Sequence, residues 1–134
     1  MELRISSDPR WLRMVRAMIQ EISRQAGFGE GERFDITIAV DEALSNVMKH
    51  SYRGDPNGLV SLSCRTDDGC LEVVLQDQGE AFDPERIQQR APDEIRVGGR
   101  GTFLIRSTMD EVEYQRAGDT NLVRLRKYLK AKAR

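Results

Sequence analysis

The sequence predicts a single α+β domain, and three observations predict it. Two long segments, Pro9 to Ala26 and Arg33 to Ser51, repeat apolar residues at helical spacing. Two others, Val60 to Asp77 and Val112 to Leu129, alternate apolar and polar residues about a short turn, as antiparallel hairpins do. A chain of 134 residues is long enough to bury one substantial core between a helical layer and a sheet. The domain is expected to span 1–134, with no repeat or linker inside it.

Composition narrows the function classes. Hydrophobic residues make up 39% and charged residues 32%, the balance of an ordinary soluble domain. A net charge of −1 gives no basic field for nucleic acid or an anionic membrane, so neither is expected as a partner. No apolar run approaches the ~20 residues of a membrane span, and Met1 is followed by Glu-Leu-Arg rather than a signal peptide. Cys64 and Cys70 form no C-x-x-C, and a single histidine makes a dedicated transition-metal site unexpected. A reduced, cytoplasmic protein is the expectation.

Taken in order, Glu2 to Ser6 alternates Leu3 and Ile5 against polar residues, a short strand. Asp8-Pro9 supplies a helix cap and a proline at the first helical position. The helix to Ala26 places Trp11, Leu12, Met14, Val15, Met18, Ile19 and Ile22 on one side, an arc of about 160° that exceeds a single core contact. Its surplus is either a well-covered core face or a subunit surface. Gly27-Phe28-Gly29 ends it.

The second helix, Arg33 to Ser51, buries Ala39, Val40, Ala43, Leu44 and Val47, with Asp35, Glu42, Asn46 and Lys49 in an adjoining strip about 60° wide. Glu42 and Asn46 stand one turn apart. For an isolated E-x-x-x-N a solvated helix flank is the simpler reading, but two later stretches change it. Tyr52 to Gly58 is dense in turn residues. The hairpin that follows turns at Asp67-Asp68-Gly69, with the cysteines as small core or half-exposed residues on its two strands.

The parity of the second hairpin strand singles out a carboxylate. Asp77 continues the series Leu71, Val73, Leu75 and so points to the core face. There it needs hydrogen-bond donors from the protein or from a ligand, because a bare buried carboxylate costs several kcal/mol. An Asx-turn closing a strand would also account for Asp77-Gln78-Gly79. The stretch Glu85 to Val97 is polar and aperiodic, and Gly98-Gly99-Arg100-Gly101-Thr102 then opens a predicted helix from Phe103 to Met109. A glycine-rich loop before a helix suits phosphate, since free amides and the helix dipole converge there. It is neither a Walker A loop nor a Rossmann fingerprint. The last hairpin carries Val112 and Tyr114, turns at Ala117 to Thr120, and returns through Val123, Leu125 and Leu129; the basic tail from Lys127 to Arg134 is expected to be solvated.

In order, then, the chain offers E-x-x-x-N on a helix, D-x-G-x-x-F after a strand and G-G-R-G-T before a helix. This resembles the histidine-kinase-like ATPases with the Bergerat fold, through their N box and two glycine boxes. Gly98 to Arg106 with Met109-Asp110-Glu111-Val112 is similar in particular to the anti-sigma factor serine/threonine kinases of bacterial partner-switching modules. The resemblance covers nearly the whole chain, and its strength lies in the order and spacing of the motifs. The chain has no phosphoacceptor helix hairpin of the sensor-kinase kind, and His50, at the end of the motif helix, is no phosphoacceptor.

The resemblance implies an α+β two-layer sandwich, a mixed and mainly antiparallel sheet with helices on one face. It implies ATP and Mg²⁺, with Asn46 as a hard oxygen ligand for the ion and Glu42 as general base toward an attacking hydroxyl. Asp77 would receive the adenine amino group, and Gly79 would let the backbone approach the base. Gly99, Arg100, Gly101 and Thr102 would hold phosphates, with Arg100 at the terminal one. Lys49, Ala81, Phe82, Gly98, Phe103 and Thr120 complete the implied nucleotide site, and Glu85 to Val97 would be a lid. Ala81 departs from the family's D-x-G-x-G; at positive φ it would strain the turn by about 1 kcal/mol. The implied function is an ATP-dependent serine kinase and anti-sigma factor, a homodimer that sequesters an RNA polymerase sigma factor and phosphorylates a serine on a small antagonist protein. The alternatives are a nucleotide-gated binding module without kinase activity and an ATPase fragment of a larger assembly.

Overall fold

The structure, a computed structural model, describes residues 1–81 and 104–130. The element order is β1 (Glu2–Ser6), a 3₁₀ turn (Pro9–Trp11), α1 (Leu12–Gln25), α2 (Glu30–Asn46), a π-helical turn (Val47–Ser51), β2 (Leu59–Asp67), β3 (Cys70–Asp77), β4 (Glu111–Ala117) and β5 (Thr120–Tyr128). Residues 104–108 are also helical. The strands form one five-stranded sheet in the order β1-β2-β3-β5-β4, and all four pairings are antiparallel.

Local chemistry places the element boundaries. Asp8 caps the first turn, its carboxylate accepting from the Arg10 amide at 3.0 Å, with Pro9 next in line. At the far end of α1, Gly27 takes φ +99° while its amide donates to the Arg24 carbonyl and the Phe28 amide to that of Ser23. These two bonds make a Schellman motif, and Phe28 is buried behind it. Helix α2 begins at Glu30, three residues before the expected Arg33. Glu30-Gly31-Glu32 carries no apolar signal, but carboxylates in a first turn favour the helix electrostatically. At the β2–β3 turn Asp68 and Gly69 both have positive φ, as a type I′ turn requires.

The core lies between the helices and one face of the sheet. Cross-strand neighbours Leu62 and Leu75, Val73 and Leu125, and Leu75 and Val123 bury that face against Ile36, Ala39, Val40, Ala43, Leu44 and Val47. Val15 and Ile19 of α1 are buried, and Trp11, Leu12, Met18 and Ile22 pack partly on the core; Met14 alone of the predicted arc stays substantially exposed, at 41%. Both cysteines are free, and burial pushes the Cys64 thiol up to about 11. Ile105 and Met109 are buried as well, which fixes the short helix before β4.

Two expectations about the end of the chain are corrected. Lys127 is not solvated: it is a β5 residue of core parity, opposite Leu71, and is only 9% exposed. Its ammonium reaches the Thr108 carbonyl at 2.5 Å, so the charge is matched to the end of the helix at 104–108. Leu129 lies just past β5 and not within it, its amide donating to the Gly69 carbonyl at 2.7 Å. Residues 131–134 lie outside the described residues. Among the described residues no helix is long and apolar enough to cross a membrane.

Candidate functional site

The site is built where the C-terminal end of the α2 segment meets the ends of β3 and β5. Strand parity brings Asp77 to the core face as expected, 3% exposed and registered between Val60 on β2 and Asn121 on β5. Its donors come first from the protein: Oδ1 accepts from the Gly79 amide at 2.9 Å and from Asn121 Nδ2 at 2.8 Å. The first is the Asx-turn that the D-x-G sequence allows. Oδ2 accepts no hydrogen bond among the described residues.

Packing within the protein also requires glycine at position 79. Its φ is not positive, but a Cβ there would fall 2.4 Å from the Ser51 carbonyl oxygen and 2.6 Å from its carbon. The turn and the end of the π-helical segment are packed backbone on backbone, and the Glu80 amide donates to that same carbonyl at 2.7 Å. Asn121 Nδ2 also lies 3.3 Å from Ser51 Oγ, and Arg53 pairs with Glu80 at 2.5 Å across the outside of the joint. Ser51 therefore ties the motif helix to the Asp77 turn. Ala81 is exposed and its φ is not positive, so the feared strain is absent.

One turn before this joint lie the helix residues. The segment 47–51 is π-helical, with the Tyr52 amide donating to the Val47 carbonyl at 3.1 Å, a widened turn of the kind found at functional sites. Asn46 is 3% exposed, yet its carboxamide makes no hydrogen bond among the described residues. Glu42, half-buried one turn earlier, likewise makes none. Burial of the Glu42 carboxyl raises its pKa above the ordinary value, and the adjacent Asp41 charge adds to this; Lys49, exposed on the same strip, opposes it. Arg16 of α1 holds Asp41 at 2.7 Å.

A polar side chain of a largely buried residue that bonds nothing else in the protein is open to a ligand. Asn46 offers the carboxamide oxygen that a hard cation accepts, and Asp77 Oδ2 offers an acceptor for an amino group. Among the described residues no cluster of His, Cys, Asp and Glu could hold a metal ion. A cation at Asn46 would therefore take the rest of its ligands from phosphate oxygens and water, the usual manner for Mg²⁺.

Thr120 faces away from Asp77 by strand parity, and its hydroxyl hydrogen-bonds Asp119 at 3.2 Å. The residue of β5 that reaches Asp77 is Asn121, which sequence reading passed over together with Ser51 and Arg116. Arg116 Nη1 donates to the Gly79 carbonyl at 2.9 Å and to Asn121 Oδ1 at 3.0 Å. Parity could have found Asn121, since it stands two residues before the core residue Val123. Phe82, Gly98, Gly99, Arg100, Gly101, Thr102, Phe103 and the expected lid from Glu85 to Val97 lie outside the described residues.

Comparison with known proteins agrees with this geometry. The family model of the histidine kinase-like ATPase domain matches residues 5–127. The serine-protein kinase RsbW of Bacillus subtilis (strain 168) is 31% identical over 136 residues, covering 96% of this chain and 84% of that protein. The serine-protein kinase RsbW of Staphylococcus epidermidis is 32% identical over 139 residues, covering 96% and 86%. Among solved structures, that of the RsbU and RsbW domains of Rv1364c from Mycobacterium tuberculosis superposes with a TM-score of 0.68 at 19% identity, over 100% of this chain and 34% of that one. The match runs through both halves of the site described above, from β1 to β5, and the chain belongs to the histidine kinase-like ATPase family.

Proposed function

We propose that this protein is an ATP-dependent protein serine kinase that is also an anti-sigma factor. It would phosphorylate a serine on a small antagonist protein and sequester an RNA polymerase sigma factor. The observation that carries the reading is the pair on α2: a half-buried carboxyl one turn from a carboxamide that makes no hydrogen bond among the described residues. A protein that only bound nucleotide would need the second but not the first. Similarity to proteins named serine-protein kinases supports it.

In this reading Asn46 holds Mg²⁺, which neutralises developing phosphate charge when bound. Glu42 accepts the proton of the attacking serine hydroxyl, and burial, which raises its pKa above the ordinary value, makes it a stronger base than an exposed carboxylate. Asp77 Oδ2 accepts from the adenine amino group. Lys49 flanks the nucleotide, with Ala81, Phe82 and Gly98 to Phe103 around the base and phosphates, and residues 85–97 cover it. Phosphorylation adds about −2 charge to the antagonist and drives it from the kinase. The working form is a cytoplasmic homodimer, acting through neither nucleic acid nor membrane. Incubation with labelled ATP and candidate antagonists from the same source tests this. Label on an antagonist serine is expected; a tight nucleotide-dependent complex that never transfers label would defeat the kinase assignment.

A further inference from the structure

Asn121 has a defined amide orientation. Its Oδ1 accepts from the Arg116 guanidinium at 3.0 Å, and its Nδ2 donates to Asp77 Oδ1 at 2.8 Å and to the Glu80 carbonyl at 3.0 Å, with Ser51 Oγ at 3.3 Å. Turning the amide over would set Oδ1 against a carboxylate and a carbonyl, and Nδ2 against a guanidinium. Arg116 is itself fixed by the Gly79 and Gly118 carbonyls, at 2.9 and 3.0 Å. The result is a carboxylate with unequal oxygens. Asp77 Oδ1 already has two donors, Asn121 and the Gly79 amide, while Oδ2 has none among the described residues.

That asymmetry discriminates between purines. Adenine presents one donor toward such a group, its 6-amino hydrogen, and one acceptor oxygen satisfies it. Guanine is recognised by a carboxylate through two adjacent donors, N1–H and the 2-amino group, which need both oxygens. Its remaining edge presents the 6-oxo oxygen, which a carboxylate repels. We propose that Asn121, oriented by Arg116, is a specificity-determining residue that occupies Asp77 Oδ1 and thereby selects adenine over guanine nucleotides. The inference rests on the adenine site proposed above. Discrimination here comes as much from closing the wrong mode as from serving the right one.

The test is the ratio of ATP to GTP affinity, measured by titration of Mg-ATP and Mg-GTP into the intact protein and its variants. The unmodified protein is expected to favour ATP by on the order of 10²-fold, the upper end of what one buried polar group left without its partner costs. Asn121→Ala should narrow that ratio by about tenfold or more, mainly by tightening GTP, because Oδ1 then keeps only the Gly79 amide and can accept a second donor. Arg116→Met, at an exposed position that leaves packing intact, should narrow it less, since the amide keeps its bond to Asp77 but loses its outer restraint. A merely structural role would weaken both nucleotides together and leave the ratio unmoved. An unchanged ratio in folded Asn121→Ala overturns the proposal; should that variant not fold, an unchanged ratio in both Arg116→Met and Asn121→Ser overturns it. Asp77→Asn separates this from the underlying reading. If it leaves ATP affinity intact, the adenine site itself is elsewhere and both ideas fall. If it weakens ATP while Asn121→Ala spares the ratio, only the selectivity role falls.

Discussion

At the corner where β3 meets β5, Asp77, Arg116 and Ser51 each hydrogen-bond Asn121; on the face of α2, the side chains of Glu42 and Asn46 hydrogen-bond nothing among the described residues. Both places hold polar side chains that are buried or half-buried. The corner is completed by the fold itself, so it is rigid before any ligand arrives and adds to stability. The helix face is left incomplete, so it lowers stability until a ligand supplies partners. One set of polar side chains is thus closed on itself and the other left open, within a few turns of chain.

The sharpest way to break the comparison is at Glu42. Glu42→Gln keeps the shape of the side chain and removes its basicity, so single-turnover transfer to the antagonist should fall by roughly 10²–10⁴-fold with ATP affinity little changed. Full transfer by this variant would return the α2 face to a plain binding surface. At the corner, Asp77→Asn replaces a charged acceptor by an amide whose donor side can face the adenine amino group. ATP should bind more weakly by about 1.5–3 kcal/mol in calorimetric titration, and an unaltered affinity in a folded variant would remove Asp77 from the site.

Stability without nucleotide then sharpens the contrast. Asn121→Leu strips a donor from buried Asp77 and should destabilise the protein by about 1–3 kcal/mol in denaturant unfolding. Asn46→Leu, of similar volume, removes a polar group that had no partner and should leave stability unchanged or raised. Equal losses in the two would mean the helix face is already satisfied. The smallest effect is in pH. Because Glu42 has a raised folded pKa, the folded state binds its proton more tightly than the unfolded chain does. That contribution to stability is present below the unfolded pKa and is lost as pH rises through the folded one. Thermal unfolding across the acid range should show this increment in the unmodified protein and not in Glu42→Gln; the transfer rate should run the opposite way, falling as the base is protonated.

How much of this was legible beforehand follows from what a side-chain pattern can carry. Parity along β3 put Asp77 on the core face, and helical spacing put Glu42 and Asn46 one turn apart, both as the structure has them. The same parity, applied to β5, would have picked Asn121 over Thr120; that position was named through family likeness instead, one residue away. The role of Gly79 was not legible, because backbone packing against Ser51 leaves no periodic trace. Lys127 was misread with the tail because four basic residues in the last eight positions imply solvent, whereas strand register assigns it to the core face. The early start of α2 escaped for a related reason: a first turn held by charge rather than by apolar contact is silent to a hydrophobic pattern.

The π-helical turn constrains the length of the chain as well as its composition. Such a turn is an α-helix carrying one residue more than its regular bonding accommodates. Between Val47 and Ser51 that extra residue rotates the end of the segment by about 100° relative to an uninterrupted helix. It is this rotation that presents Ser51 to Gly79, Glu80 and Asn121. Loss of one residue here, whichever one it was, would restore a regular helix and swing Ser51 out of the joint. Along these five positions the number of residues matters as well as their identity, and an insertion or deletion would separate the two halves of the site even where Glu42, Asn46, Asp77 and Asn121 are all kept.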